Sequence, residues 1–283
     1  MKSNPFAQSM SIRAKANNLA KKIGIAPQAA LQSYFAERFL ARLAISNYSS
    51  RMAVKGGTLM SALFGIAERT TMDIDATLLG LPGEEASIRN VLTEICGIDA
   101  SDGISFTVNG SEPITKDDEY GGYGFSLIAA IGTIRLPLGI DVTVGDAITP
   151  EPECLEIKPM LDESERIRLL AYTTESLLAE KLQTLLKRGA LTTRPRDFYD
   201  IYKIVATQRY RPQILEKAIE ATFRNRKSEE LIHLKRNILD AIRKSPFIHD
   251  QWERYTRQFR YASGISLDEV LNSVESLFTC FSC

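Results

Sequence analysis

The chain has 283 residues, 44% of them hydrophobic and 25% charged, with 35 basic residues balancing 35 acidic ones. Such a length buries about three quarters of the unfolded surface in one large or two modest domains, so the fold needs no disulfide or metal staple. The mixture excludes a disordered, collagenous or coiled-coil chain, and the lack of a run of about 18 apolar residues excludes a membrane-spanning helix.

Residues 12–23 predict a short helix stopped by Gly24, and Pro27 opens a second in which Leu31, Phe35, Phe39 and Leu43 recur four apart. That spacing gives one apolar face, widened by Tyr34 and Leu40. Met52-Ala53-Val54 leads into the double-glycine turn Lys55-Gly56-Gly57-Thr58, and a helix follows. Residues 69–78 alternate polar and apolar, as a strand with one buried side does. Residues 84–96 read as a helix, and 104–110 and 125–131 as strands. Residues 134–144 read as a strand that Pro137 and Gly139 mark as an edge or bulge. A short strand is expected within 148–158.

Beyond Leu170 the period becomes helical. Thr173 or Thr174 caps a helix ending at Gly189, and Pro195 opens another with Phe198, Ile201, Tyr202 and Val205 inward. Residues 212–222, 228–243 and 265–279 supply three more. The expected class is α+β: a mixed-sheet domain over 1–165 and a helical domain over 166–283. Charge is unevenly shared. Lys181 to Arg260 carries 19 Lys or Arg against 9 Asp or Glu, a balance of +10 that the rest of the chain offsets. A basic half of this kind attracts a polyanion, or the more acidic half of the same chain. Cys96, Cys154, Cys280 and Cys283 include no zinc pattern. Cys280 and Cys283 have redox spacing, but at a fraying end. With no apolar signal-peptide core at the start, cytoplasmic location is expected.

Asp73-Ile74-Asp75 is the sharpest feature. Residues i and i+2 of a strand point the same way, so both carboxylates leave one face and Ile74 enters the core. Oxygen-only donors so disposed suit magnesium or manganese. Upstream, Gly56 and Gly57 allow backbone N–H groups close to a phosphate at a helix start, and the Thr58 hydroxyl adds a donor. Asp141, on another expected strand, is the natural third carboxylate, its alternative being a solvent-facing strand residue. Lys181 lies on or beside the apolar stripe of its helix and must snorkel or meet an anion. Asp197 and Asp200, three apart in Arg194-Pro195-Arg196-Asp197-Phe198-Tyr199-Asp200, share a helical face. The alternative is an N-cap plus a salt bridge to Arg194 or Arg196, and Asp200, next to apolar Ile201, needs a partner more urgently.

Taken in order, Lys55 to Thr58, Arg69 to Asp75, Glu175 to Lys181 and Arg194 to Asp200 resemble the AbiEii/AbiGii toxin family of nucleotidyltransferases, over roughly Ser11 to Ile204. The resemblance implies a nucleotidyltransferase-like sheet lobe followed by a helical lobe. It also implies transfer of a nucleotide from a nucleoside triphosphate, to tRNA in some members, by the toxin of a bacterial toxin–antitoxin pair linked in some cases to abortive infection. It places catalysis on Asp73, Asp75, Lys181 and Asp197, and nucleotide contacts on Lys55, Gly56, Gly57, Thr58, Arg69, Arg196 and Asp200. Mg2+ or Mn2+ falls on Asp73 and Asp75, with Asp141 brought in from the wider superfamily. Asp197 and Asp200 either orient Lys181 or Arg196 or contact base or acceptor. The expected partners are the triphosphate, an RNA acceptor and a cognate antitoxin, with no membrane. The glycine motif is GG where the wider superfamily has GS, which shifts the hydroxyl's work to Thr58. Two other outcomes share the same residues: transfer to a protein side chain, and an inactive nucleotide- or partner-binding module.

Overall fold

The computed structural model describes residues 4–114, 121–162, 164–207 and 209–281. Helix α1 runs Pro5–Ile23, earlier than periodicity alone predicts, because Asn4 caps it by accepting from the Phe6 N–H and Pro5 takes a first-turn position. Gly24, left-handed at φ 75°, ends it and returns its N–H to the Ala20 carbonyl. Helix α2 (Pro27–Ile45) buries the expected Leu31, Phe35, Phe39 and Leu43. It also buries Arg42 completely, with the guanidinium bidentate on Asp102 at 2.7 and 2.9 Å and donating to the Ile104 carbonyl. Arg42 also lies over the Phe106 ring.

Strands β1 (Met52–Val54), β2 (Asp73–Leu78), β3 (Ser105–Pro113), β4 (Gly122–Ile131), β5 (Ile134–Val144), β6 (Glu153–Ile157) and β7 (Ile167–Ala171) form one mixed sheet, ordered β3-β4-β5-β2-β1-β7-β6. Helix α3 (Gly56–Phe64) joins β1 to β2, and α4 (Glu85–Cys96) packs on β3 and β4. Within this sheet β2 is parallel to β5 and antiparallel to β1.

Two expectations need correction. The residues before Asp73 are not strand: the Thr70 hydroxyl donates to the Ile66 carbonyl and the Arg69 guanidinium to the Thr70 carbonyl, which folds 66–70 into a turn. Nor is β5 an edge or bulged strand, since it lies between β4 and β2 in unbroken register with β4. Pro137 is tolerated because pairing with β2 begins only at Gly139, so that flank of β5 is open where the N–H is missing.

The chain divides into two compact units: 1–146 with 153–171, and 147–152 with 172–283. The first holds the sheet and α1–α4. The second holds α5 (Thr174–Arg188), α6 (Pro195–Ala206), α7 (Pro212–Asn225), α8 (Glu230–Lys244), α9 (Pro246–Gln258) and α10 (Leu267–Leu277). Its core joins α5 to α6, α7 and α8, and α6 to α10. Beside α6 an aromatic cluster stacks Tyr199, Tyr255, Phe259 and Tyr261. Cys283 lies outside the described residues, whereas Cys96, Cys154 and Cys280 are free thiols. Among the described residues no helix is long and apolar enough to cross a membrane.

Candidate active site

The alternation of β2 sets the geometry. Ile74, Ala76 and Leu78 are buried on one face, while Asp73, Asp75 and Thr77 occupy the other. Asp75 is fixed by the double-glycine turn. The Gly57 N–H donates to Asp75 Oδ2 at 2.7 Å, and the Lys55 N–H donates to the Asp75 carbonyl at 3.0 Å. The Asp75 N–H in turn donates to Thr58 Oγ1 at 2.9 Å. Gly56 has φ +53°, and a Cβ there would lie 2.5 Å from Asp75 Oδ2, so both backbone and space demand glycine.

Neighbouring strands complete the face. Gly139 on β5 pairs with Asp73, and a Cβ at that position would overlap the Asp73 carboxylate. Asp141 pairs with Asp75, and Gly124 on β4 leaves room beside the Asp141 side chain. Asp73, Asp75 and Asp141 therefore share one face. Among the described residues no group of three or more His, Cys, Asp or Glu converges closely enough to hold a metal. The donor set fits a divalent cation with two protein carboxylates, Asp73 and Asp75, because magnesium commonly takes one or two and fills its remaining positions with phosphate oxygens and water.

Other expected contacts have partners inside the fold. Lys55 Nζ lies 2.5 Å from Asp146 Oδ2, which also accepts from the Thr77 and Thr143 hydroxyls at 2.7 and 2.6 Å. Burial alone would raise the Asp146 carboxyl. The Lys55 ammonium and the three hydrogen bonds outweigh it and hold the group well below the usual carboxylate range. Asp146 is the residue that sequence reasoning missed, since nothing local pairs it with a lysine ninety-one positions away. Thr58 is buried, and its hydroxyl, besides accepting from the Asp75 N–H, lies 3.4 Å from the Asp73 carbonyl. Arg69 is buried in the turn before β2.

In the helical unit, Thr173 caps α5 and Pro195 starts α6, as their sequence positions predict. Lys181 reaches from α5 to both acids of α6, with Nζ 2.8 Å from Asp197 Oδ1 and 2.6 Å from Asp200 Oδ2. Asp200 is wholly buried, whereas Arg196 is exposed. The stripe-borne ammonium thus meets its anions within its own unit, and the two acids take Lys181 in preference to an adjacent arginine. Two further acids lie along α5: buried Glu175 accepts from the backbone and side chain of Arg211, and half-buried Glu180 pairs with Arg226. Burial would raise Glu175, but the Arg211 contacts lower it overall.

A mixed sheet carrying paired aspartates beside a glycine turn, followed by a helical unit, is the organisation of a nucleotidyltransferase. A family model described as the nucleotidyl transferase AbiEii toxin of type IV toxin–antitoxin systems matches residues 38–273. The chain belongs to this AbiEii family, which implies a nucleoside triphosphate as donor and an antitoxin as counterpart. No curated protein matches it in sequence. Among solved structures, it is similar to JHP933 from Helicobacter pylori, at 14% identity over 90% of this chain and 93% of that one, with a TM-score of 0.49. A second H. pylori structure, provisionally assigned as a nucleotidyltransferase, has 13% identity over 90% and 96%, also with a TM-score of 0.49. An antigenic nucleotidyltransferase-like protein from Paracoccidioides brasiliensis has 17% identity over 71% and 90%, with a TM-score of 0.38.

Proposed function

We propose that the chain transfers a nucleoside monophosphate from a nucleoside triphosphate to an RNA acceptor, tRNA being the preferred candidate, in a Mg2+- or Mn2+-dependent reaction. The observation that carries this reading is the pair Asp73 and Asp75 on one face of β2, with Asp75 aimed by the Gly57 N–H. In the reaction an acceptor hydroxyl oxygen bonds to the α-phosphorus and gives up its proton to solvent, the bond from that phosphorus to the α,β-bridging oxygen breaks, and pyrophosphate leaves. A divalent cation, when bound, supplies charge neutralisation for the triphosphate and its leaving group.

The chain's own residues hold and orient. Asp73 and Asp75 supply the carboxylate oxygens for the cation. First-turn N–H groups of α3 have no intrahelical acceptor and lie where the dipole favours phosphate oxygens. With the Gly57 N–H committed to Asp75, those of Gly56 and Thr58 are assigned to the phosphates. Asp141 is assigned to the acceptor side of the same face. In the helical unit, Asp197 and Asp200 fix the ammonium of Lys181. The +10 balance between Lys181 and Arg260 supports a polyanionic acceptor.

The test incubates full-length protein with each α-labelled triphosphate, magnesium and total RNA. Wild type is expected to label an RNase-sensitive species, and Asp75→Ala and chelator-treated wild type are not. Equal labelling by wild type and Asp75→Ala would overturn the assigned metal role. An RNase-resistant, protease-sensitive product would replace RNA by a protein acceptor.

A further inference from the structure

A cavity of about 500 Å3 lies within the sheet-bearing unit, bounded by α1, α2, α3, the 65–72 turn and the end of β6. Ser33 and Glu37, one turn apart on α2, both line it. Ser33 is 8% exposed, and its hydroxyl makes no hydrogen bond. That is unusual for a buried polar atom and points to a missing ligand atom or water. Glu37 Oε2 accepts from the Met160 N–H at 3.0 Å. Burial pushes the Glu37 carboxyl up to about 7, against the Met160 N–H and Arg38, while Glu165 adds to the rise. Asp73, Lys158 and Glu156 line the same cavity, the Glu156 carboxylate being already paired with Arg166 and Arg168. The rest of the wall is mainly apolar, with Leu19, Leu40 and Ile157 among its residues.

An apolar chamber richer in carboxylates than in cations suits neither a phosphate nor a neutral hydrocarbon. A phosphate would meet like charge, and a hydrocarbon would leave a carboxylate desolvated without compensation. We propose that this cavity binds a small hydrophobic amine, the ammonium between Ser33 Oγ and the Glu37 carboxylate and the apolar body against Leu19, Leu40 and Ile157. The cavity also touches Thr58 and Asp73 of the candidate active site, but the proposal is tested by binding alone and not by the transfer reaction.

The probes are phenethylamine and its uncharged isostere 2-phenylethanol, titrated calorimetrically into the full-length chain at about pH 8, where Glu37 is ionised. The amine is expected to bind with one-to-one stoichiometry and at least about tenfold more tightly than the alcohol, the size of one charge-assisted contact. Glu37→Gln, an isosteric change, should erase that preference, and Ala36→Phe, which fills the cavity, should abolish binding of both probes. Three results would overturn the proposal: no binding of the amine, equal affinity for both probes in wild type, or an undiminished amine affinity in Glu37→Gln. Amine binding retained by folded Ala36→Phe would do so as well.

Discussion

Gly56→Ala tests the site without removing any charged group. The new Cβ would lie 2.5 Å from Asp75 Oδ2 and 2.7 Å from Asp75 Cγ, so the carboxylate must move by about 1 Å to reach ordinary contact. Moving it weakens the 2.7 Å bond from the Gly57 N–H, a charge-assisted contact of about 1.5–3 kcal/mol. Holding alanine at φ +53° adds about 1–2 kcal/mol. Asp75 is half-buried and regains some hydration as it shifts, which brings the expected total to about 2–3 kcal/mol. That is less than the stability of a typical domain, so the protein should stay folded with a lower urea midpoint. Transfer should fall by about 100-fold, the usual consequence of misplacing a catalytic group by 1 Å.

Gly80→Ala is the control. Gly80 has φ +63° and nothing within 4 Å of a built Cβ, so it repeats the backbone strain without a displaced carboxylate. Its urea midpoint should fall while its transfer rate stays at the wild-type level. Gly57→Ala should be intermediate, because its Cβ meets the Thr71 hydroxyl, a side chain able to rotate away. Paired urea melts and single-turnover labelling decide the matter. A Gly56→Ala protein within about threefold of the wild-type rate, or a slower Gly80→Ala, would refute the reasoning.

Lys55→Met removes the ammonium from a carboxylate whose side chain is 4% exposed, and should cost about 3–5 kcal/mol in chemical denaturation; a loss below about 1 kcal/mol would contradict the buried pair. Because the native Asp146 carboxyl is held low, the pair's contribution is present above the ordinary aspartate range and is lost on acidification, so Lys55→Met should also flatten the acid limb of the stability curve. Glu37 acts in the opposite sense. Its native carboxyl titrates at about 7 against 4.5 when unfolded, so over that interval the native state keeps a proton the unfolded state has lost. Stability should fall as pH rises across it, by at most about 3 kcal/mol, and Glu37→Gln should remove that slope in melts taken at successive pH values. Burial pushes the Cys96 thiol up to about 12, with Arg42 opposing, while Cys154 is exposed. A thiol reagent at about pH 8 should therefore modify Cys154 rapidly and Cys96 only on unfolding, as mass spectrometry of the labelled peptides would show.

Local chemistry was the legible part. The α2 stripe, the alternation around Ile74, the Thr173 cap and the Pro195 start each depend on residues within a few positions of one another, and they appear in the structure as read. Non-local pairing was not legible. The centrality of β5 depends on which strands flank Pro137, and β7 is a five-residue apolar run that period alone cannot assign. Helix α9 was missed despite a local signal: Ser245 caps it and Pro246 opens it. At the site, the face of Asp73 and Asp75 followed from strand geometry, and Lys181's need for an anion from its place on an apolar stripe. That Asp197 and Asp200 both answer it is a property of two packed helices. The Lys55–Asp146 pair, which takes up the cation expected at the phosphates, joins segments that only the sheet brings together.

The pairing of Gly139 with Asp73 has a practical corollary. On the proposed function, the acidic dyad depends on the next strand offering no side chain where the Asp73 carboxylate lies, so activity can be dialled down from a residue that carries no charge. A graded series at Gly139, from alanine upward in size, would give weakened toxins whose acidic residues remain intact, suited to studying neutralisation in living cells without killing the host.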